Sequence, residues 1–236
     1  MIGRLYLIPV PLSEGAVSSL SPDISSILTN LKYIVAERAK TARRWIKLIC
    51  PDVHLPSIHI FELDKHGDNP KLEAFLKSSD GNVGFMSEAG CPGIADPGAH
   101  TVSIAHRLGW KVIPLVGPSS IVQGLMVSGF SGQHFSFIGY LPQQKPALKK
   151  ALKDVENTSQ RDKSTIIFIE TPYRNQSLLE TILQTLKPMT RLCIARDING
   201  SEEWSFSGTV QTWRKMKTPD LHKKPSVFLI AAYLDQ

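Results

Sequence analysis

The sequence predicts an α/β protein of two domains, the first built on a parallel sheet and the second on a mixed one. Three observations carry this expectation. Strand-like and helix-like segments alternate through the first half of the chain. The strands there are apolar and β-branched at successive positions, the pattern of strands covered on both faces. Past "GPSS" the alternation loosens and strands gain on helices, which fits a sheet with antiparallel members. That change of rhythm sets an N-terminal domain over 1–116 and a C-terminal domain over 117–236.

The elements follow in order. "RLYLIPV" reads as the first strand. The helix "SPDISSILTNLK" is opened by Ser21, with Pro22 in its first turn, where a missing N–H costs nothing. "YIVAE" is a short strand, "TARRWIKLIC" a helix stopped by Pro51, and "IHIFEL" a strand. "NPKLEAFLKS" is a helix capped by Asn69, and "NVGFMSE" another strand. "PGAHTVSIAHRLG" is a helix closed by Gly109, and the strand "WKVIPLV" completes the first domain. In the second domain "SSIVQGLMVSG" is a helix, "FSFIGYL" a strand and "PALKKALKDVENTS" an amphipathic, basic helix. "STIIFIE", "RLCIARD" and "SVFLIAAYL" read as strands, "NQSLLETILQTLK" and "VQTWRKMK" as helices, and "EEWSFSGTV" as a strand or hairpin arm.

Composition bounds the function. At 236 residues, 42% hydrophobic and 20% charged, the chain has the make-up of an ordinary globular protein. No apolar run approaches the ~20 residues that span a bilayer, and "MIGRLYLIPVP" lacks the apolar core of a signal peptide. Cys50, Cys91 and Cys193 cannot all pair and form no C-x-x-C, so reduced thiols in the cytoplasm are the simplest reading. A net charge of +6 and a pI near 9.2 suit a polyanionic partner without requiring one. There is no phosphate-binding G-x-x-x-x-G-K-[ST], no G-x-G-x-x-G after the first strand, and "GFSG" falls short of a nucleophile elbow. His54, His59 and His66 lack the spacing of a metal site, so no metal is expected.

One stretch stands out. "SEAGCPGIADPG", residues 87–98, holds three glycines, two prolines and two acids directly after an apolar strand. Gly opens backbone angles closed to other residues and Pro locks its own, so such a run builds a fixed, irregular loop. It has companions at other strand ends: Pro9–Val10–Pro11, Gly117–Pro118–Ser119–Ser120 and Glu170–Thr171–Pro172. Ligands of open α/β sheets bind beyond the carboxyl ends of strands, so these loops point to a small-molecule site.

Together "SEAGCPGIADPG", "VGPSS", "FIGYLP", "FIETPYR" and "IARD" resemble the tetrapyrrole methylase superfamily, in particular its branch that methylates ribose in bacterial small-subunit ribosomal RNA. The resemblance runs from "LYLIPVPL" to "SVFLIAAY". It implies two α/β domains with S-adenosylmethionine in the cleft between them, and a homodimer. It places Pro9, Val10, Gly90, Cys91, Ile94 and Ala95 against the cofactor, largely through backbone, with the hydroxyls of Ser119 and Ser120 facing it. Thr171, Ala195 and Pro225 match later cleft positions. The two serines can equally cap the helix that follows them.

The resemblance leaves the acceptor open. The branch's Gly-Asn-Leu stretch is replaced by "PLSEGAVSSL", its Asp-Ala-Gly by Glu88–Ala89–Gly90, and its basic tract after "LP" by "QQKPALKK". A ribose hydroxyl is weakly acidic and calls for a general base. Glu88 and Glu37 end adjacent-type strands and are the candidates, each also suited to a structural hydrogen bond with loop amides. Arg38, Lys40, Arg43, Arg44 and Lys47 form a basic run that can hold RNA phosphates or simply be a solvated helix face. Three readings follow: a cytoplasmic methyltransferase of ribosomal RNA, a methyltransferase of a tetrapyrrole or other small molecule, and a non-catalytic cofactor-binding protein.

Overall fold

Strands that alternate their side chains between two apolar layers organise each half of the chain. A computed structural model describes residues 3–64 and 70–233. The chain forms two units, Met1–Ser119 and Ser120–Gln236.

In the first unit β1 (Arg4–Ile8), β2 (Tyr33–Ala36), β3 (His59–Glu62), β4 (Asn82–Met86) and β5 (Lys111–Pro114) pair in the order β3-β2-β4-β1-β5. Every pairing is parallel, so the strands all end on one edge. Successive residues of β2 serve opposite faces: Ile34 and Ala36 join one buried layer and Val35 the other. The first layer takes α1 (Asp23–Thr29) and α2 (Ala39–Ile49), with Leu28, Trp45 and Ile46 buried in it. The second takes α3 (Pro70–Ser78) and α4 (Ala99–Arg107), through Leu72, Leu76 and Ile104 against Phe85.

The second unit has β6 (Phe135–Tyr140), β7 (Thr165–Ile169), β8 (Arg191–Arg196), β9 (Trp204–Thr209) and β10 (Ser226–Ala231), ordered β6-β7-β10-β8-β9. Only β6 and β7 run parallel; the remaining pairs are antiparallel, which makes the sheet mixed. All six residues of β10 are buried, as befits a central strand. One face is covered by α5 (Ser120–Ser128), whose Ile121 and Leu125 join Ile167, Val227 and Leu229. The other takes α6 (Lys145–Asp162), α7 (Asn175–Thr185) and α8 (Val210–Lys215), where buried Trp213 donates Nε1–H to the Leu192 carbonyl at 2.9 Å.

The fold class is the expected one; the details differ in instructive places. The two units meet between Ser119 and Ser120. The tail of β5 stays with the first unit because Leu115 N–H donates to Leu7 O at 3.0 Å and the Cys91 thiol reaches Pro118 O at 3.3 Å. Ser21 does not cap α1 with its hydroxyl; it accepts from Ile24 N–H through its carbonyl, and Pro22 holds the cap position. Short 3-10 turns stand at Glu14–Ser19 and Leu55–Ser57. Segment "EEWSFSGTV" is a hairpin arm on β8. Asn69 and His66 lie outside the described residues.

Candidate active site

At the carboxyl edge of the first sheet three chain exits are stitched together. β4 sits between β1 and β2, which brings Met86 level with Ile8. Past these ends Val10 and Gly90 form an isolated antiparallel bridge, each N–H donating to the other's carbonyl at 3.0 Å. Gly90 has φ +68°, and a Cβ there would sit 3.1 Å from Leu12 Cδ2 and 3.2 Å from Pro118 O. Only glycine suits that backbone and that space. The exit of β5 closes in as tightly, since a Cβ on Gly117 would fall on the Pro9 ring.

Pro9, Val10 and Gly90 are therefore together and buried, with Cys91 half-buried beside the Gly117–Pro118 carbonyls. Burial raises the Cys91 thiol pKa. Ile94 lies on the outer turn, 52% exposed despite its apolar side chain. Ala95 next to it holds φ +64°, a strained angle for a residue with a Cβ. Neither Ser119 nor Ser120 makes a side-chain hydrogen bond to a described residue, so neither hydroxyl caps α5.

Carboxylates collect at this edge. Glu88 is anchored: its Oε1 accepts from Thr41 Oγ1 at 2.9 Å and lies 3.6 Å from Arg38 Nε, and its carbonyl accepts from Trp45 Nε1 at 3.0 Å. Glu37 is not anchored in this way, for its Oε2 is buried with no hydrogen-bond partner among the described residues. Burial, and then the charge of Glu88, push the Glu37 pKa up, against a smaller pull from Arg38. Asp96 goes further. Burial first, then Glu37 and Glu88, push its pKa up to about 6. A carboxylate that titrates near neutrality is suited to accept a proton from a weak acid. Asp96 is not among the candidate bases that the sequence offers. Its signal was the second acid in the Gly- and Pro-rich stretch, but its burial and the nearby Glu37 come from the tertiary fold, with only Glu88 close by in sequence.

The basic run lies on α2. Lys40, Arg43, Arg44 and Lys47 share one exposed face at i, i+3, i+4 and i+7, and Arg38 precedes the helix. Part of that charge is engaged. Arg38 faces Glu88, Arg44 Nη1 pairs with Glu14 Oε1 at 2.6 Å, and Lys47 Nζ donates to the Pro51 and Val53 carbonyls at 2.8 and 3.1 Å. Lys40 and Arg43 have no such partner among the described residues.

In the second unit Thr171 and Pro225 lie at one edge of the mixed sheet, where β7 ends and antiparallel β10 begins. Thr171 N–H donates to Oε1 of buried Glu170 at 2.7 Å, and Pro225 O accepts from Asp197 N–H at 2.8 Å. Ala195 is buried one pair further in, opposite Val227. The three cysteines form no disulfide, and burial pushes the Cys193 thiol pKa up to about 12. No helix among the described residues is long and apolar enough to cross a membrane.

Comparison with known proteins adds context. No family model matches the chain. "Ribosomal RNA small subunit methyltransferase I" of Bacillus subtilis is 29% identical over 209 residues, covering 89% of this chain and 68% of that protein. The protein of the same name from Vibrio cholerae is 30% identical over 202 residues, covering 84% of this chain and 66% of its own length. Among solved structures, the methyltransferase CobJ has a TM-score of 0.61 at 16% identity, covering 98% of this chain and 94% of its own. Uroporphyrin-III-C-methyltransferase from Thermus thermophilus has a TM-score of 0.54 at 14% identity, with the same coverage of 98% and 94%. At such identities the structures speak to the fold alone.

Proposed function

We propose, for a chain that belongs to the tetrapyrrole methylase superfamily, that it transfers the methyl group of S-adenosylmethionine to a ribose 2'-hydroxyl of small-subunit ribosomal RNA. The observation that carries this reading is the stitched strand-exit edge with Asp96 and the unpartnered Glu37 oxygen beside it. The names of the bacterial relatives support small-subunit ribosomal RNA as the acceptor molecule.

The residues fit the cofactor. The exposed apolar side chains of Ile94 and Val116 and the unengaged hydroxyls of Ser119 and Ser120 offer the mixed lining that an adenosyl group and an amino-acid tail require. The cofactor supplies an electrophilic methyl group, so the protein's task is alignment and proton removal. Pro9, Val10, Gly90, Cys91 and Ala95 border it, with the Val10–Gly90 bridge holding that backbone in place. Asp96, supported by Glu37, accepts the hydroxyl proton. Glu88 holds α2 to the loop through Thr41, Trp45 and Arg38 and is a positioning residue.

A thermal-shift series with S-adenosylmethionine, followed by radiolabelled transfer to undermethylated small ribosomal subunits, tests the reading. Ligand at 100 times its dissociation constant stabilises by ~2.7 kcal/mol. No shift at millimolar cofactor removes the methyltransferase reading; a shift with label passing only to a tetrapyrrole replaces the acceptor.

Two expectations accompany it. Lys40→Glu combined with Arg43→Glu, at the two α2 cations without a partner among the described residues, weakens RNA binding severalfold and flattens its salt dependence while cofactor affinity stays unchanged. RNA affinity equal to wild type makes that face of α2 merely solvated. Two copies of this cytoplasmic chain assemble through apolar surface such as the exposed Val122, Met126 and Val127 of α5. Sedimentation then gives twice 26.1 kDa, and a monomer at micromolar concentration contradicts the assembly.

A further inference from the structure

On the second unit a restrained turn presents an aromatic ring to solvent. Tyr173 lies in the turn that follows β7 and is 70% exposed. That turn and the first residues of α7 are tied to the segment before β10 by three hydrogen bonds. Lys223 N–H donates to Pro172 O at 3.0 Å, Asn175 Nδ2 to Lys224 O at 2.6 Å, and Leu221 N–H to Gln176 Oε1 at 3.0 Å. The next residue, Arg174, is held by Glu170 Oε2 at 3.1 Å and by Gln143 O at 3.3 Å.

Two side chains, Lys223 and His222, stand against the ring. Lys223 adopts φ +59°, an unfavourable angle for a residue with a Cβ, and its Nζ lies 5.9 Å from the Tyr173 centroid. The His222 ring approaches edge-on, at 6.3 Å and 75°. Lys223 has no carboxylate partner among the described residues, whereas neighbouring Lys224 is paired with Glu202. A scattered exposed aromatic needs no explanation. A ring carried on a tied-down backbone, 70% exposed, with an ammonium over it that no carboxylate among the described residues pairs, is built differently. Single-stranded nucleic acid is held by this pairing of chemistry, an aromatic face for a base and a cation for the phosphate beside it.

We propose that Tyr173 is a stacking platform for an unpaired base of the RNA acceptor, with Lys223 on an adjacent phosphate. This rests on the reading that the acceptor is RNA. Stacking tolerates any base, so the platform holds an unpaired stretch of the acceptor and leaves its sequence to other contacts.

The test uses the full chain and a short single-stranded RNA carrying 2-aminopurine, beside the same RNA annealed to its complement. Tyr173→Ala weakens single-strand binding roughly fivefold to a hundredfold, in line with the loss of one base–aromatic stack. Tyr173→Phe keeps the ring and stays within about twofold of wild type on the same argument. Duplex affinity, S-adenosylhomocysteine affinity and melting temperature do not change in either variant. Lys223→Gly keeps the left-handed backbone, removes the ammonium and lowers the salt slope by about 0.7. Wild-type single-strand affinity in Tyr173→Ala overturns the platform and leaves the RNA reading standing. A wild-type protein that binds neither RNA form overturns both. Loss of S-adenosylhomocysteine affinity in Tyr173→Ala assigns the ring to the cofactor and overturns the proposal.

Discussion

Asp96→Asn lowers methyl transfer by roughly a hundredfold to ten-thousandfold, the usual contribution of a positioned general base. Cofactor affinity stays close to wild type, since the substitution is nearly isosteric. The physical reason is the pKa of about 6, produced by burial and by the nearby charges of Glu37 and Glu88. Below that pH the wild-type carboxyl is protonated and cannot accept a proton, so activity rises with pH through about 6 and then levels. Asn abolishes that rise. The same shift has a consequence for stability. The folded-state pKa lies above the ordinary 3.8, so the proton favours the fold, and stability from this group is present below about 3.8 and lost as pH rises through about 6. At neutral pH Asp96→Asn therefore raises stability, by about 1 kcal/mol once solvent screening of a part-exposed carboxyl is allowed for. A variant with full activity and an unchanged pH profile removes Asp96 from the chemistry. Higher stability with lost activity is the combination that a purely structural role would not produce.

Gly90→Val abolishes binding of S-adenosylmethionine. Two effects act at once: valine at φ +68° is strained, and its side chain meets Leu12 and Pro118 O, where Cβ alone already stands at 3.1 and 3.2 Å. Relief requires the Val10–Gly90 bridge to open, which separates the exits of β1 and β4. The cost is about 1–3 kcal/mol for the backbone alone. Gly93→Ala isolates the components. Gly93 has φ +78° but nothing within 4 Å of a Cβ, so alanine there carries the strain without the crowding. Calorimetry should find binding retained in Gly93→Ala at some loss of melting temperature, and absent in a folded Gly90→Val. If Gly90→Val binds as wild type, the stitched edge does not border the cofactor.

Much of this was legible along the chain. Apolar β-branched runs announced strands buried on both faces, and the looser second half announced antiparallel pairing, because side-chain alternation and turn chemistry are local properties. The run around Gly90 announced a fixed, irregular loop, since glycine opens backbone angles closed to other residues. The charges read differently. As a run of letters, Arg38 to Lys47 is one basic patch; in the fold Glu14 and Glu88 and the carbonyls after α2 take up three of its five cations. Glu37 and Glu88 read as equivalent strand-end acids, yet Thr41 and Arg38 anchor one while the other keeps an unpartnered oxygen. Asp96 acquires its raised pKa from burial first, and then from the charges of Glu37, distant along the chain, and of Glu88. Backbone angles and hydrophobic periodicity belong to each residue and its neighbours, so sequence alone determined the strands, the helices and the loops that must bend. Electrostatic environment depends on distance and burial, and those existed only once β4 had inserted between β1 and β2.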